Sequence, residues 1–317
     1  MRVTIIRISL LVLAACSSQS TPDATNAAPG DLLGTFSVSL VAPKIAGDGS
    51  TTPGYTSIFG KVYDGAQPQA VVWTPQSTDA GCVLSTPRTP FCSPGCGTAA
   101  ACVAENTCQP YPASQSVGSV HVAGVKHGSS TELDLVAVSN SYQPPAGTVL
   151  DYPGFAEGEA VDVITSGSSF ADAFHATARG VSSLELANAN SLALQSGGAF
   201  ALAWTPPQTE GSQIAIKLDI SHHGGSKGKI ECSIEDTGTV SIGAPMIDAL
   251  LALGVAGYPS IIVTRTSTGH AAVADGHADL VVSSEVEVSI SVPGVRSCTD
   301  SSQCTPPATC QSDLTCK

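Results

Sequence analysis

The residues Gly224-Gly225-Ser226-Lys227-Gly228 match the G-x-S-x-G spacing of a nucleophile elbow, with His222 and His223 directly before them. That chemistry requires a sharp strand-to-helix turn, so that the serine is presented and the helix start supports an oxyanion. Residues 229–235 instead alternate apolar and polar as a second strand, so a glycine-rich hairpin loop accounts for the same letters. As neighbours, His222 and His223 would point to opposite faces of a strand, and no H-E-x-x-H spacing or third ligand accompanies them. The densest histidine and carboxylate patch is 270–279, with His270, Asp275, His277 and Asp279, and it reads as a polar loop. His121, His127 and His175 are scattered without paired spacing. The acidic stretch 151–162 holds Glu157, Glu159 and Asp162, oxygen ligands of the kind Ca²⁺ takes; charge density is the sole ground for that cation, because the EF-hand pattern is missing. No catalytic or metal-ligating residue is assigned from these motifs, and neither a P-loop nor a G-x-G-x-x-G fingerprint occurs.

Cysteine spacing is more specific. Of the 11 cysteines, Cys82, Cys92, Cys96, Cys102 and Cys108 lie in one segment, Cys298, Cys304, Cys310 and Cys316 close the chain, and Cys232 stands alone. The final set is spaced C-x5-C-x5-C-x5-C, and the earlier one C-x3-C-x5-C-x5-C from Cys92. Zinc modules favour closer pairs such as C-x2-C, so disulfides are expected. A short tail with almost no core needs crosslinks in place of burial. Each set of four permits three connectivities, and Cys82 and Cys232 either pair across the fold or leave Cys232 as a buried thiol.

These residues must be positioned by strands, because period-two alternation dominates the chain. Phe36, Val38 and Leu40 alternate with serines, Val120 and Val122 flank His121, and Leu133 and Leu135 flank Asp134. Ile214, Ile216, Leu218 and Ile220 form another such run, as do Ile230, Cys232 and Ile234, and Val286, Val288, Ile290 and Val292. Glycine, proline, asparagine and serine punctuate them, which predicts an all-β, antiparallel sandwich body, one large or two smaller. One short helix is expected over 245–253, with Pro245 at its start and Gly254 just beyond its end. The expected organisation is a signal peptide at 1–15, a flexible tether at 16–34, and a β-rich region at 35–185 carrying a cysteine-rich insert at 79–113. A second sandwich region with the helix follows at 186–293, then a cysteine-rich module at 294–317.

The leader sets the address. Arg2 and Arg7 precede or flank a short apolar stretch, too short for a membrane span of about 20 residues. Leu13-Ala14-Ala15-Cys16 resembles the bacterial lipobox, which implies cleavage before Cys16 and acylation of that residue. Reserving Cys16 for lipid leaves an even 10 cysteines, a parity that agrees with the lipobox. Stable anchoring needs more than one acyl chain, and the lipoprotein modification supplies three. Residues 17–30, SSQSTPDATNAAPG, suit a flexible tether, and Ser17 in place of aspartate favours the outer membrane by the enteric sorting rule. Of 13 bases, two are the leader arginines, so 11 face 26 acids and the mature net charge is −15. Such a surface repels phosphate backbones and argues against nucleic acid.

Three stretches resemble uncharacterised, secreted myxobacterial-type lipoproteins: Gly198-Ala199-Phe200-Ala201-Leu202-Ala203-Trp204-Thr205-Pro206, Ile230-Glu231-Cys232-Ser233-Ile234-Glu235-Asp236-Thr237-Gly238 and Ile262-Val263-Thr264-Arg265. The terminal cysteine module and the insert from Cys82 extend that resemblance. It implies a β-rich exported lipoprotein and carries over no catalytic residue. The expected function is therefore a lipid-anchored envelope protein with a structural, adhesive or binding role, contacting the membrane through its anchor and an envelope protein or glycan through its loops. The alternative is an exported hydrolase using the 222–228 loop or the 270–279 patch.

Overall fold

The computed structural model describes residues 30–45 and 51–317. The leader, Cys16 and most of the 16–34 tether lie outside the described residues. Alternating burial then produces what the sequence periodicity anticipates, an all-β body with one α-helix. Its main sheet has 14 strands. From one edge the order is His175–Arg179, Ala160–Thr165, Val120–His127, Ser130–Val138, Ser141–Gln143, Tyr55–Tyr63 and Leu32–Val41. It continues through Gly276–Ser289, Ser260–Val273, Gln213–Asp219, Lys229–Glu235 and Cys82–Arg88 to Val72–Asp79, while Ser114–Gln115 pairs beside Tyr55–Tyr63. Neighbours along this path run antiparallel except one pair: Leu32–Val41 lies parallel to Gly276–Ser289. Sequence alternation cannot report that exception, because a half-buried strand alternates identically beside either kind of partner.

The single sheet serves two cores. In the first, Phe36, Val38, Leu40, Val62, Val122, Tyr142, Val163 and Phe174 pack together. The sheet curls until its edge strand His175–Arg179 lies back across Ser260–Val273. Gly269 permits that crossing, since a Cβ there would sit 1.9 Å from the Thr177 carbonyl oxygen. The Arg179 N–H donates to Ser267 Oγ at 3.1 Å across the same seam.

In the second core, Ile214, Ile216, Leu218, Ile230, Ile261 and Val263 line the sheet. The pair Phe200–Ala203 and Thr239–Ile242 and the helix Ala244–Ala252 cover them. Gly243 caps the helix in an extended conformation, Pro245 occupies its first turn, and Met246, Ile247 and Leu250 enter the core. Each such side chain contributes roughly 1.5–3 kcal/mol by leaving water.

The two longest strands join these cores. Ala271, Val273, Ala278, Leu280 and Val282 belong to the first, while Ile261 and Val263 belong to the second. Between them the inward positions are polar: Arg265, Ser267 and Ser284 are all buried. This hairpin includes the 270–279 segment expected as a polar loop; only Ala274 and Asp275 form the turn. Its small and polar inward residues hide the alternation that marks other strands.

The ten cysteines among the described residues are joined in five disulfides. Cys82–Cys232 links adjacent strands of the second core. Cys92–Cys102 and Cys96–Cys108 close the insert, and Cys298–Cys310 and Cys304–Cys316 close the tail. Both four-cysteine modules share one connectivity, first to third and second to fourth. The tail docks where the Gly257 N–H donates to the Asp313 carbonyl and Ser297 Oγ donates to the Gly257 carbonyl at 2.6 Å. Among the described residues, no helix is long and apolar enough to cross a membrane.

Candidate functional site

Because Phe36, Val38 and Leu40 point inward, Thr35, Ser37 and Ser39 point to the opposite face of their strand. By the same parity Ile58 and Val62 are buried, which leaves Phe59, Lys61 and Tyr63 on the outer face. Gly60 contributes differently: a Cβ there would meet the Phe36 ring at 2.2 Å, so its missing side chain lets that ring fill the core beneath. Register then assembles rows across the outer face. Ser141 pairs with Lys61, Lys61 with Thr35, Thr35 with Asp279, and Asp279 with His270. The next row runs from Phe59 through Ser37 and Val281 to Thr268.

An open cleft of about 520 Å³ lies on this face, lined by Leu32, Thr35, Ser37, Phe59, Lys61 and Tyr63 and rimmed by Ala66, Gln67 and Gln69. The Lys61 ammonium stands 5.4 Å from the centre of the Tyr63 ring. The cysteine insert braces the rim: Gln109 Nε2 donates to the Ala66 carbonyl at 3.0 Å, and Asp64 accepts from the Ala113 N–H and Gln115 Nε2 at 2.8 and 2.9 Å. Through Gln109 the disulfide-closed insert touches the rim at Ala66.

At the end of the first row stands a cluster on the long hairpin. His270 Nδ1 and Asp279 Oδ1 are 2.6 Å apart, and His277 Nε2 lies 3.6 Å from the same oxygen. His277 Nδ1 is buried and has no hydrogen-bond partner. Two further histidine–aspartate pairs lie on outer faces: His121 with Asp134 at 2.8 Å, and His175 with Asp162 at 2.7 Å. Burial alone would raise the Asp162 carboxyl, but hydrogen bonds from Thr177 and His175 outweigh it and hold it below the ordinary aspartate value. Each pair joins neighbouring strands, so its spacing exists only in the sheet register, where sequence reading cannot find it.

Three groups among the described residues have metal-compatible proximity: Cys92 with Cys96 and Cys102, Cys298 with Cys304 and Cys316, and His270 with His277 and Asp279. In the first two the sulfurs are tied into disulfides. The third keeps its donors. The carboxylates of 151–162 diverge instead. Asp151 accepts from the Gly128 N–H, Glu157 from the Gln208 and Thr209 N–H groups, and Asp162 from Thr177 and His175. Burial would raise the Glu157 carboxyl, but those backbone donors leave it lowered. The structure does not gather these acids into one cation cage.

Ser226 lies exposed in the loop joining Gln213–Asp219 to Lys229–Glu235, with no helix after it. His222 and His223 sit in that loop with rings 3.9 Å apart. The elbow geometry is therefore missing.

Sequence reasoning overlooked a buried ion pair. Arg265 Nε donates to Asp236 Oδ2 at 2.5 Å and Nη2 donates to Oδ1 at 3.2 Å, and both side chains are 2% exposed. Nη1 donates to Ser182 Oγ and its carbonyl, and Nη2 to the Thr205 carbonyl. Trp204 Nε1 and Ser212 Oγ donate to Asp236 at 2.7 and 2.8 Å. Burial would raise the Asp236 carboxyl, yet the bonds from Arg265, Trp204 and Ser212 leave it lowered. The signal was present as an arginine at the inward parity of Val263 and Ser267. All three stretches quoted for the lipoprotein resemblance meet at this knot, through Trp204 and Thr205, Asp236, and Arg265. No protein-family model matches this chain, and no curated protein matches it either.

Proposed function

We propose that this chain is a lipid-anchored protein of the bacterial cell envelope, held at the outer membrane through Cys16, whose β-body binds a glycan. The observation that carries the binding role is the cleft on the open sheet face. Phe59 and Tyr63 offer ring faces against which a sugar's C–H surface stacks, while Thr35, Ser37 and Lys61 offer hydroxyl and ammonium partners for its oxygens. A concavity combining apolar rings with a few polar groups is the usual form of a small-ligand site. The anchor rests on Leu13-Ala14-Ala15-Cys16 and the polar stretch that follows. The lipid would retain the body at the membrane, and the tether would let the sheet face reach the surrounding matrix. The exposed hairpin around Ser226 does not favour the hydrolase reading.

Binding to purified envelope polysaccharides by isothermal titration tests the site. Saturable binding is expected, with a loss of at least tenfold in Phe59→Ala and little change in Phe91→Ala, an exposed aromatic outside the cleft. Equal binding by both variants would refute the assignment. Mass spectrometry should find acyl chains on Cys16, and Cys16→Ala should release the protein into the soluble fraction; continued membrane association would refute the anchor.

A further inference from the structure

We infer that His270, His277 and Asp279 form a half-buried binding site for a divalent transition cation of the zinc class on the outer sheet face. One ring nitrogen of each histidine and one Asp279 oxygen all lie within 4.8 Å of one another. In a tetrahedral site with bonds of ~2.0–2.1 Å, ligand atoms stand about 3.3 Å apart. The two separations to Asp279, 2.6 and 3.6 Å, bracket that value. The third separation, between the two histidine nitrogens, is under 4.8 Å.

The hairpin makes this arrangement rigid. His270 and Asp279 are directly paired, and His277 is two residues before Asp279 on the same face. Imidazole suits zinc, copper and nickel, whereas calcium prefers an all-oxygen shell. Three protein ligands leave a position free, as catalytic or ligand-exchanging sites require and closed structural sites do not. The chain's acidic balance, 26 acids against 13 bases, also raises the local concentration of cations. A ligating ring nitrogen surrenders its proton to the other nitrogen or to water. His277 Nδ1 has no outer partner, so the site should bind more weakly, by about 10–100-fold, than one whose histidines are fully oriented. This inference is independent of what the neighbouring cleft binds.

The full chain, made without a histidine tag, should be dialysed against Zn²⁺ and analysed for metal content. One equivalent is expected, lost in His270→Ala and Asp279→Asn and retained when His222 and His223 are both changed to alanine. Retention of zinc by the hairpin variants, its loss with His222 and His223, or no zinc in the unaltered protein would overturn the site. Imidazole NMR of the unaltered chain makes the test independent of whether variants fold. Zn²⁺ should shift the signals of His270 and His277, and shifts confined to other histidines would refute it.

Discussion

The two halves of the molecule share an outer face that carries ion pairs, such as His121–Asp134 and Lys229–Glu231, but a buried pair stands at only one place among the described residues. Around the first core, His121, His175, His270, their aspartate partners and Lys61 lie on the outer face, and the packed cluster is aliphatic and aromatic. At the border of the second core an arginine and an aspartate are buried, held by Trp204, Ser182, Thr205 and Ser212. The long hairpin belongs to both, so one pair of strands carries a buried Arg265 at one level and an exposed His270 five residues later. Parity along the strand decides which. The same residue types become a structural tie or an accessible site according to the side of the pleat they occupy.

The strongest way to break this contrast is Asp236→Ala. It leaves Arg265 buried and unpaired, and losing one partner of a buried pair costs about 3–5 kcal/mol. Urea denaturation should show that loss, and a cost below about 1 kcal/mol would mean the knot is not a structural tie. Its pH dependence follows from the lowered Asp236 carboxyl. With the folded value below the unfolded one, its stabilisation is full above the ordinary aspartate range, about pH 4, and is lost as pH falls through the lower folded value. Asp236→Asn should therefore flatten the acid limb of the stability profile relative to the native chain. Other lowered carboxyls, including Asp162 and Glu157, keep part of that slope in both proteins.

Covalent and neutral ties sharpen the comparison at smaller magnitudes. Replacing both Cys82 and Cys232 by alanine removes a link spanning 150 residues of sequence and should cost about 2–4 kcal/mol, read as a lower urea midpoint. The first core has no internal disulfide among its described members and relies on buried hydrogen bonds such as that from the Val117 N–H to Tyr142 Oη, 2.8 Å long. Tyr142→Phe strands that amide and should cost about 1–3 kcal/mol. An unchanged midpoint would show that water or another group replaces the hydroxyl.

Much of the scaffold was legible because its strands bury large aliphatics on alternate positions, as at 36–40 and 214–220. The helix was legible from Pro245 and Gly254. The long strand Ser260–Val273 was not, because Arg265, Ser267, Gly269 and Ala271 occupy its inward face where leucine or isoleucine would announce a core. The candidate sites suffered for the same reason. Lys61, Thr35 and Asp279 are neighbours only once three strands align, one of them by the parallel pairing of Leu32–Val41 with Gly276–Ser289. Cysteine spacing exposed the modules but left connectivity open, since it is the backbone that brings Cys82 opposite Cys232.

The smallest expected effect tests the contrast from its exposed side. His121 and Asp134 are also joined at 2.8 Å across neighbouring strands, but their side chains are 35% and 89% exposed. Water already solvates both groups, so the pair gains little Coulomb energy and its partner is not stranded when one member goes. His121→Ala should therefore cost no more than about 1 kcal/mol, with the cost shrinking as salt is added. Comparable distances would then produce unequal consequences at His121–Asp134 and Arg265–Asp236, and desolvation would be the cause. Should His121→Ala destabilise the protein as much as Asp236→Ala, depth could not be what separates the two pairs, and the outer-face pairs would have to be counted as structural ties as well.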